Sequence, residues 1–241
     1  MPVRTVPERG LVYDRSVSGR RLTLERIVAL VPVRGLEGAK ARLGEALDAE
    51  ERRSLVEILL ARTIAAAATT PAVAEVVVVS PDPHVLALAS TLGAGGVTQL
   101  VSGLNEGLDA GRVRAVATGA DAVLVVPGDL PAVSAPELTR VVGEARAHVA
   151  SLAAAGSPAH ALVALVADRA GRGTNILLVA PPETIPFRFG DGSRAAHAAA
   201  AAAAGAAFLE VTGPLDLDLD TPDDLLVAEA AGLGDLRAEL P

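Results

Sequence analysis

The sequence contains no cysteine, and aromatic residues make up only 2% of its 241 residues. Without cysteine there is no disulfide, thiolate nucleophile or cysteine metal site, which fits a reducing cytoplasm. The net charge of -8 and the scarcity of aromatic side chains argue against a nucleic-acid binder, because such proteins usually present a basic stripe or stacking platforms. We therefore expect a cytoplasmic protein that acts on small molecules.

Long apolar runs are missing as well, since no stretch offers the roughly 18 apolar residues that span a bilayer. Residues 1–26 carry six arginines and three acids, without the apolar stretch of a signal peptide. We interpret them as an N-terminal extension that could be loosely ordered or could pack on a domain at 27–241. No membrane contact is expected.

Lysine is almost absent: of 21 basic residues, Lys40 is the only lysine. The arginine bias could reflect the composition of the genome, and Lys40 could be a chance survivor of it. The alternative is a lysine kept for its chemistry. The sequence around it bears on the choice.

Apolar runs of strand length alternate with helical patterns through the first half of the chain. The runs RIVALVPV, EVVVVSPD and DAVLVVPGDLP favour buried parallel strands, and a helix is expected behind an Asp48 cap. This alternation predicts one α/β domain with a mostly parallel sheet and helices on both faces. Ligands of such sheets bind beyond the carboxyl ends of the strands.

Two apolar runs in the second half, HALVALVAD and TNILLVAPP, are separated by the glycine turn RAGRG. They predict an antiparallel hairpin added to the parallel sheet. Its apolar edge could pair with a second copy of the chain, which makes a homodimer possible. An alanine helix follows, with Ser193 expected as its cap and Gly205 at its end.

The loop after the first predicted strand, VPVRGLEGAKARLG, combines Gly35 and Gly38 with the cations Arg34, Lys40 and Arg42. Exposed backbone amides and three cations suit a triphosphate and its departing pyrophosphate. The loop lacks the Gly-Lys-Ser/Thr ending of a P-loop. Glycine loops with a few cations are common on surfaces, so the pattern alone does not establish a site.

Two acidic stretches offer ligands for a hard cation. Asp129 lies just past a predicted buried strand, where a carboxylate can hold Mg²⁺ against phosphate oxygens or can serve as a turn or helix cap. Asp216, Asp218 and Asp220 alternate along a segment expected to be extended, which would place them on one face. They could form a solvated edge, or Asp220, with Asp218 as a further ligand, could complete a magnesium site with Asp129.

Asn105, in SGLNEGLDAG after the short predicted strand VTQLVSG, could cap the following helix or hydrogen-bond to a purine edge. The sequence leaves both alternatives open. Four histidines show no metal-ligand spacing and suggest no catalytic triad. We interpret each of them as structural or exposed: His84, His148, His160 and His197.

Several motifs occur in a recognisable order from about Ile27 to Gly232: VPVRGLEGAKARL, PGDLP, DRAGRGTNILL, FRFGDGS and LDLDTPDDL. With these motifs in this order, the chain resembles the CofC/FbiD family of 2-phospho-L-lactate or phosphoenolpyruvate guanylyltransferases. These enzymes are relatives of the molybdenum-cofactor guanylyltransferases. GDLP is generic to that wide superfamily, whereas DRxGxGTNxL followed by FxFGxGS is specific. The resemblance implies a GT-A-like, Rossmann-like nucleotidyltransferase fold.

The resemblance also implies roles for single residues. Two turns would hold a small phosphorylated acid through Thr174, Gly190 and Ser193, and free amides at a helix N-terminus suit such an anion. Arg188 could add a charge-assisted contact to the acid. The remaining roles are nucleotide binding (Gly35, Lys40, Asn105), catalysis on the triphosphate (Lys40, Arg34, Asp129) and metal binding (Asp129, Asp220, Asp218).

The implied reaction joins GTP to phosphoenolpyruvate or 2-phospho-L-lactate and releases diphosphate, with Mg²⁺ as cofactor. The product, enolpyruvoyl- or lactyl-2-diphospho-5'-guanosine, would serve the biosynthesis of the deazaflavin coenzyme F-420. Two alternatives stay open: a related transferase with another acceptor (molybdopterin, a sugar phosphate or 3-phosphoglycerate), and a non-catalytic nucleotide-binding module. Arg34 departs from the lysine that often begins the family's first loop.

Overall fold

The computed structural model describes residues 22–36 and 40–233, together with Leu236, Ala238 and Leu240. Within these residues the strands are β1 (Ile27–Pro32), β2 (Val73–Ser80), β3 (Gly95–Thr98), β4 (Ala122–Val125), β5 (Leu162–Ala167), β6 (Thr174–Ala180) and β7 (Ala207–Glu210). The helices are α1 (Ala49–Ala68), α2 (Pro83–Thr91), α3 (Leu104–Ala117), α4 (Ala135–Ala154), α5 (Ser193–Ala204) and α6 (Pro222–Ala230).

All seven strands belong to one sheet with the order β3-β2-β1-β4-β6-β5-β7. Helices α1, α2 and α4 pack on one face, and α3 and α5 pack on the other. Both faces of the central strands are therefore buried, which explains why β1, β4 and β6 are continuous apolar runs without alternation. The prediction of a mostly parallel α/β domain is confirmed.

The antiparallel hairpin is confirmed as well, but its position in the sheet is not an edge. Strand β6 pairs antiparallel with both β4 and β5, and β7 pairs parallel with β5. Because neighbouring strands already occupy both sides of the hairpin, the expectation that its apolar edge could join two copies is wrong. The short strands β3 and β7 form the two edges of the sheet.

Local signals position several helices. Asp48 caps α1 by accepting hydrogen bonds from the backbone N–H groups of Glu50 and Glu51, and the Glu51 side chain accepts one from the Asp48 N–H in return. Helix α5 ends at Gly205, which lies in the left-handed region at φ 64°. The prediction of Ser193 as the α5 cap is wrong: Gly192 is the N-cap residue, and Ser193 is the first helical residue.

Part of the segment assigned to the N-terminal extension belongs to the folded core. Leu24 is buried against the helices, and the Arg146 guanidinium donates to its carbonyl oxygen at 2.6 Å. The domain therefore begins before Ile27, while residues 1–21 lie outside the described part of the chain. Among the described helices, none combines the length and the apolar character that a membrane crossing requires.

The acidic segment before α6 is extended only in its second half. Residues Pro214–Asp216 form a turn of 3-10 helix, so the extended segment expected from Asp216 begins only at Leu217. From there Leu217 and Leu219 are buried in an apolar cluster, which turns Asp218 and Asp220 the opposite way. The alternation thus presents Asp218 and Asp220 on one side of the extended segment.

Candidate active site

Sheet topology brings the two predicted halves of the site to one edge. Asp129 follows the carboxyl end of β4, and Thr174 is the first residue of β6. Because β4 and β6 are antiparallel, with Val125 opposite Leu177, the end of β4 and the start of β6 face the same way. The metal half of the predicted site, at Asp129, and its acceptor half, at Thr174, therefore lie at the same end of the sheet. This is the end formed by the carboxyl ends of the parallel strands, where ligands of such sheets bind.

Lys40 joins the two aspartates at this edge. Its Nζ atom lies 2.6 Å from Oδ2 of Asp129 and 2.8 Å from Oδ1 of Asp220. The lysine side chain is only 10% exposed, whereas those of Asp129 and Asp220 are 30% and 46% exposed. Residues separated by 89 and 180 positions thus form one charged cluster, and the only lysine of the chain is its centre.

Two features of Lys40 show that the cluster constrains it. Burial of the ammonium lowers its pKa, but the attraction of Asp129 and Asp220 outweighs this, and the pKa is raised above its ordinary value. Its backbone is left-handed, with φ 52° and ψ 39°, and it is the one non-glycine residue with positive φ among those described. Such a conformation costs on the order of 1 kcal/mol, which the surrounding contacts must offset.

Asp218 contributes negative charge to the same cluster. Burial and, to a smaller extent, repulsion from Asp129 and Asp220 raise the pKa of its carboxyl to about 6, against the opposing effect of Lys40. The three carboxylates together therefore hold more negative charge than one ammonium neutralises. A site of this kind attracts a second cation.

Two hydrogen bonds to or from the backbone hold the acidic segment in place. The N–H of Leu219 donates to the Asp129 carbonyl oxygen at 3.1 Å, which sets Asp220 beside Asp129. The buried Asn175 amide donates to the Leu215 carbonyl oxygen at 3.0 Å and anchors the start of the segment. Sequence reasoning missed Asn175, although it follows Thr174 directly in the specific motif.

A hard divalent cation fits part of this donor set. Mg²⁺ is usually held by one or two carboxylates together with substrate phosphates, and Asp129 and Asp220 are the pair that already shares a cation. No group of three acidic or histidine ligands forms a ready metal site among the described residues. Asp218 adds its charge beside this pair, and its role as a further metal ligand stays a prediction.

The first loop is anchored from outside the cluster. Asp82, the cap of α2, accepts a hydrogen bond from the Leu36 N–H at 3.1 Å, which lowers the pKa of its carboxyl. Gly35 has φ 151°, and a Cβ atom there would stand 3.3 Å from the Asp82 carboxylate, so glycine permits this approach. The Arg34 side chain is exposed, and Gly38 lies outside the described residues.

The two turns of the acceptor half are joined to each other. The Arg194 N–H donates to the Arg172 carbonyl oxygen at 3.1 Å, and the Arg172 N–H donates to Oδ1 of Asp168. Gly190 adopts φ 129° with open space where a Cβ would be, and Ser193, 2% exposed, begins α5. The positive end of the dipole of this 12-residue helix suits a carboxylate or phosphate.

His197 connects the turns to Thr174. Its Nδ1 atom lies 3.1 Å from Oγ1 of Thr174, and its Nε2 atom accepts a hydrogen bond from the Arg188 N–H at 3.0 Å. Burial and, to a smaller extent, the nearby Arg188 charge lower the pKa of the imidazole to about 4. The prediction of a structural His197 is consistent with this contact set, but its position beside Thr174 was not foreseen.

Asn105 also belongs to the acceptor half. Its Nδ2 atom donates to the Phe189 carbonyl oxygen at 3.1 Å, and its Oδ1 atom accepts from the Phe189 N–H at 2.8 Å. The helix-cap alternative is wrong, because the N-cap residue of α3 is Gly103. Contact between Asn105 and a purine edge stays a prediction, and these two bonds disfavour it by engaging both ends of the amide.

A surface cleft of about 410 Å³ is lined by parts of the two turns, the start of α5 and strand β7, including Arg172, Arg194, Phe208 and Glu210. Neither the Lys40 cluster nor Thr174 contributes to its walls. The charged cluster at the sheet edge and the buried acceptor residues, rather than this cleft, define the candidate active site.

Solved structures place this fold in a known class. A nucleotidyl transferase from Methanothermobacter matches with a TM-score of 0.58 at 19% identity, over 86% of this chain and 97% of that one. A 4-diphosphocytidyl-2C-methyl-D-erythritol synthase from Anaerococcus prevotii matches with a TM-score of 0.57 at 11% identity, over 88% and 98%. The fold is that of the GT-A type of nucleotidyltransferase.

A third structure in the same fold contains a metal ion. Glucosyl-3-phosphoglycerate synthase from Mycobacterium tuberculosis, solved with Mn²⁺, uridine diphosphate and phosphoglyceric acid, matches with a TM-score of 0.51 at 13% identity, over 87% of this chain and 76% of that one. Nucleotide and divalent metal therefore occur together on this architecture.

Sequence comparison identifies the family within the class. The family model of CofC-like guanylyl transferases matches residues 27–234. Phosphoenolpyruvate guanylyltransferase of Rubrobacter xylanophilus is 40% identical over 207 residues, covering 86% of this chain and 95% of that protein. The enzyme of the same name from Sphaerobacter thermophilus is 42% identical over 200 residues, covering 82% and 90%. The chain belongs to the CofC-like guanylyl transferase family.

Proposed function

We propose that the protein transfers the guanylyl group of GTP to phosphoenolpyruvate, with Mg²⁺ as cofactor, in the biosynthesis of coenzyme F-420. The observation that carries the proposal is the cluster in which Lys40 bridges Asp129 and Asp220, at the same end of the sheet as Thr174. The names of the 40% and 42% identical relatives support phosphoenolpyruvate as the acceptor over 2-phospho-L-lactate.

In the proposed reaction, an oxygen of the acceptor phosphate forms a bond to the α-phosphorus of GTP. The bond from that phosphorus to the oxygen bridging the β-phosphate breaks, and diphosphate leaves with the electron pair. The acceptor phosphate is already ionised at neutral pH, so no general base is required. Catalysis then consists of aligning two anions and offsetting their charge.

The residues divide between these two tasks. Lys40 is the buried cation closest to the carboxylate pair and neutralises charge on the triphosphate, with Arg34 supporting it from the exposed loop. Gly35 brings backbone amides close to the phosphates. Thr174, Gly190 and Ser193 hold the acceptor at the start of α5, where the helix dipole favours its negative charge.

Asp129 and Asp220 would hold the divalent cation, with Asp218 increasing the negative charge around them. Bound there with GTP, the cation would offset charge on the phosphate oxygens. Because Lys40 contacts both carboxylates, its ammonium would share them with a bound cation or turn towards the triphosphate.

A substrate matrix tests the proposal. Purified protein is incubated with Mg²⁺, one of the four ribonucleoside triphosphates, and one acceptor out of phosphoenolpyruvate, 2-phospho-L-lactate, 3-phosphoglycerate and a sugar phosphate. We expect diphosphate release to be fastest with GTP and phosphoenolpyruvate, and phosphorus NMR to show a diphosphate diester product. Faster release with another acceptor would reassign the enzyme, and GTP binding without any turnover would favour a non-catalytic module.

A further inference from the structure

We propose that His197 is a positioning residue which fixes the hydroxyl proton of Thr174 so that it points at the bound acceptor. The inference rests on the proposed function, since it treats Thr174 as an acceptor ligand. It adds a residue that never touches the substrate and that determines which charge Thr174 can recognise. The observation behind it is the pair of contacts made by the two ring nitrogens.

The direction of the hydrogen bond follows from the partner of each nitrogen. A backbone N–H can only donate, so the Nε2 atom that receives the Arg188 N–H at 3.0 Å must carry no proton. A neutral ring with an unprotonated Nε2 carries its proton on Nδ1. The Nδ1–H group therefore donates to Oγ1 of Thr174 across 3.1 Å.

This assignment leaves the Thr174 hydroxyl free to donate one hydrogen bond. Its oxygen accepts from His197, so its own proton is available to another partner. Thr174 is 7% exposed and lies at the start of β6, at the edge shared with Asp129. A hydroxyl held as a donor favours an anionic oxygen, such as a carboxylate or phosphate of the acceptor. The opposite tautomer would take up the hydroxyl proton and present lone pairs to that anion.

The surroundings of His197 prevent the ring from turning over. His197 is fully buried, and the Phe189 ring meets it edge-on, with centroids 5.0 Å apart. Phe189 is held in turn by Asn105, which binds both its N–H and its carbonyl oxygen. Helix α3 thus fixes the loop that fixes the imidazole.

A second contact from α3 braces the same loop. The Arg112 guanidinium stacks over the Phe187 ring at 4.9 Å from its centroid, and it donates to the Ile185 carbonyl oxygen at 2.9 Å. Residues 185–189 are therefore held at three points before they reach the Gly190 turn. A ring enclosed in this way can act as a fixed donor to Thr174.

Two substitutions of His197 test the roles of the two ring nitrogens separately. Asparagine places an amide N–H near the Nδ1 position and can still donate to Thr174, whereas glutamine reaches the Nε2 position and can only serve the Arg188 amide. We expect His197→Gln to raise the KM for phosphoenolpyruvate roughly tenfold, with the KM for GTP unchanged, since a hydrogen bond to a charged group is impaired. We expect His197→Asn to raise the KM for phosphoenolpyruvate less.

A purely structural role is distinguished by removing the hydroxyl itself. In a Thr174→Val background the proposed role of His197 is gone, so we expect His197→Gln to change the KM for phosphoenolpyruvate little further. If the effect of His197→Gln persists in full in that background, or if both His197 variants lower kcat and raise both KM values alike, the inference is wrong. Thermal unfolding of each variant shows which ones are folded.

The wild-type protein provides a test without any turnover. Long-range proton–nitrogen NMR correlation reports which nitrogen of each histidine carries the proton, and His197 is assigned by the signal missing from His197→Asn. We expect the proton on Nδ1, and a proton on Nε2 would overturn the inference. If the wild-type protein transfers no guanylyl group to any acceptor, the proposed function fails, while the tautomer still decides the contact between His197 and Thr174.

Discussion

The ammonium group of Lys40 lies 2.6 Å from Oδ2 of Asp129, although 89 residues separate the two in the chain. A single surviving lysine in an arginine-biased sequence is thus explained by a position where a compact cation fits between carboxylates. A guanidinium would present a planar fork of donors here instead of a compact ammonium. The chemistry assigned to the protein depends on this contact and on the neighbouring acceptor half.

Replacing Asp129 by asparagine removes one cation ligand while keeping the size of the side chain. We expect kcat/KM for GTP to fall at least about 100-fold, since an electrostatic partner of the transition state is lost. Steady-state diphosphate release at saturating Mg²⁺ measures it. Asp223→Asn, an exposed first-turn residue of α6, is the matched control and should stay near the wild-type rate. A wild-type rate in Asp129→Asn would remove Asp129 from the site.

Replacing Lys40 by methionine leaves two carboxylates facing each other without their cation. We expect a loss of about 1–2 kcal/mol in the free energy of unfolding at low Mg²⁺, less than for a fully buried pair because both aspartates are partly exposed. Added Mg²⁺ should stabilise the variant more than the wild type, because the ammonium no longer occupies the carboxylates. Urea titrations with and without Mg²⁺ measure both effects.

The exposed neighbour Arg42 supplies the control for that experiment. Arg42→Met removes a cation from the same loop without removing one from the carboxylate pair. We expect it to have no effect on unfolding and no added response to Mg²⁺. Equal responses of the two variants to Mg²⁺ would mean that Lys40 does not compete for the site.

Asp218, a proposed residue of the site, is expected to lower the free energy of unfolding at neutral pH. Its carboxyl has a pKa of about 6 in the folded protein because burial and two neighbouring carboxylates disfavour the charge. A raised pKa in an acid means that the folded state loses stability as pH rises from the unfolded value of 3.8 towards 6. We therefore expect Asp218→Asn to be more stable at pH 7, by on the order of 1 kcal/mol after solvent screening, and less active. Destabilisation at pH 7 would contradict the charge repulsion.

His197 gives the opposite dependence on pH. Its pKa is lowered from 6.5 to about 4 in the folded protein, so the unfolded chain binds the extra proton first as pH falls. The stabilising contribution is complete above pH 6.5 and disappears towards pH 4, a loss of roughly 3 kcal/mol. Subtracting the stability of His197→Asn from that of the wild type at each pH isolates this slope. A flat difference for His197 would contradict a buried neutral ring.

Acceptor recognition can be separated from nucleotide recognition at Ser193. We expect Ser193→Ala to raise the KM for phosphoenolpyruvate more than the KM for GTP, because Ser193 begins α5 on the acceptor side of the site. Initial-rate measurements with each substrate varied in turn test this. A larger effect on the KM for GTP would place the acceptor elsewhere.

Local patterns predicted most of the fold. Continuous apolar runs marked β1, β2, β4 and the hairpin, because strands buried on both faces are apolar throughout. The placement of β6 between β4 and β5 could not be derived, since strand order depends on partners far away in the chain. Strand β3 begins in Gly95 and Gly96, which carry no side-chain signal for a strand.

The site was predictable where a residue type alone fixed the chemistry. The unique lysine and the aspartates at strand ends indicated a cation site, and the structure gathers Lys40, Asp129 and Asp220. The roles of Asn105, Asn175 and His197 were not predictable, because each depends on one long-range hydrogen bond that leaves no periodic signal. Ser193 was predicted as the α5 cap because its hydroxyl suits that role. The actual N-cap residue is Gly192, whose left-handed backbone gives no side-chain signal in the sequence.

The central claim, that Asp129 and Asp220 serve one cation, is tested most directly by a double-mutant cycle. The value of kcat/KM for GTP is measured in Asp129→Asn, in Asp220→Asn and in the double variant. Two ligands of one cation act as a unit, so we expect the double variant to be little worse than the more damaged single variant. Losses that multiply across the cycle would show that the two carboxylates act independently.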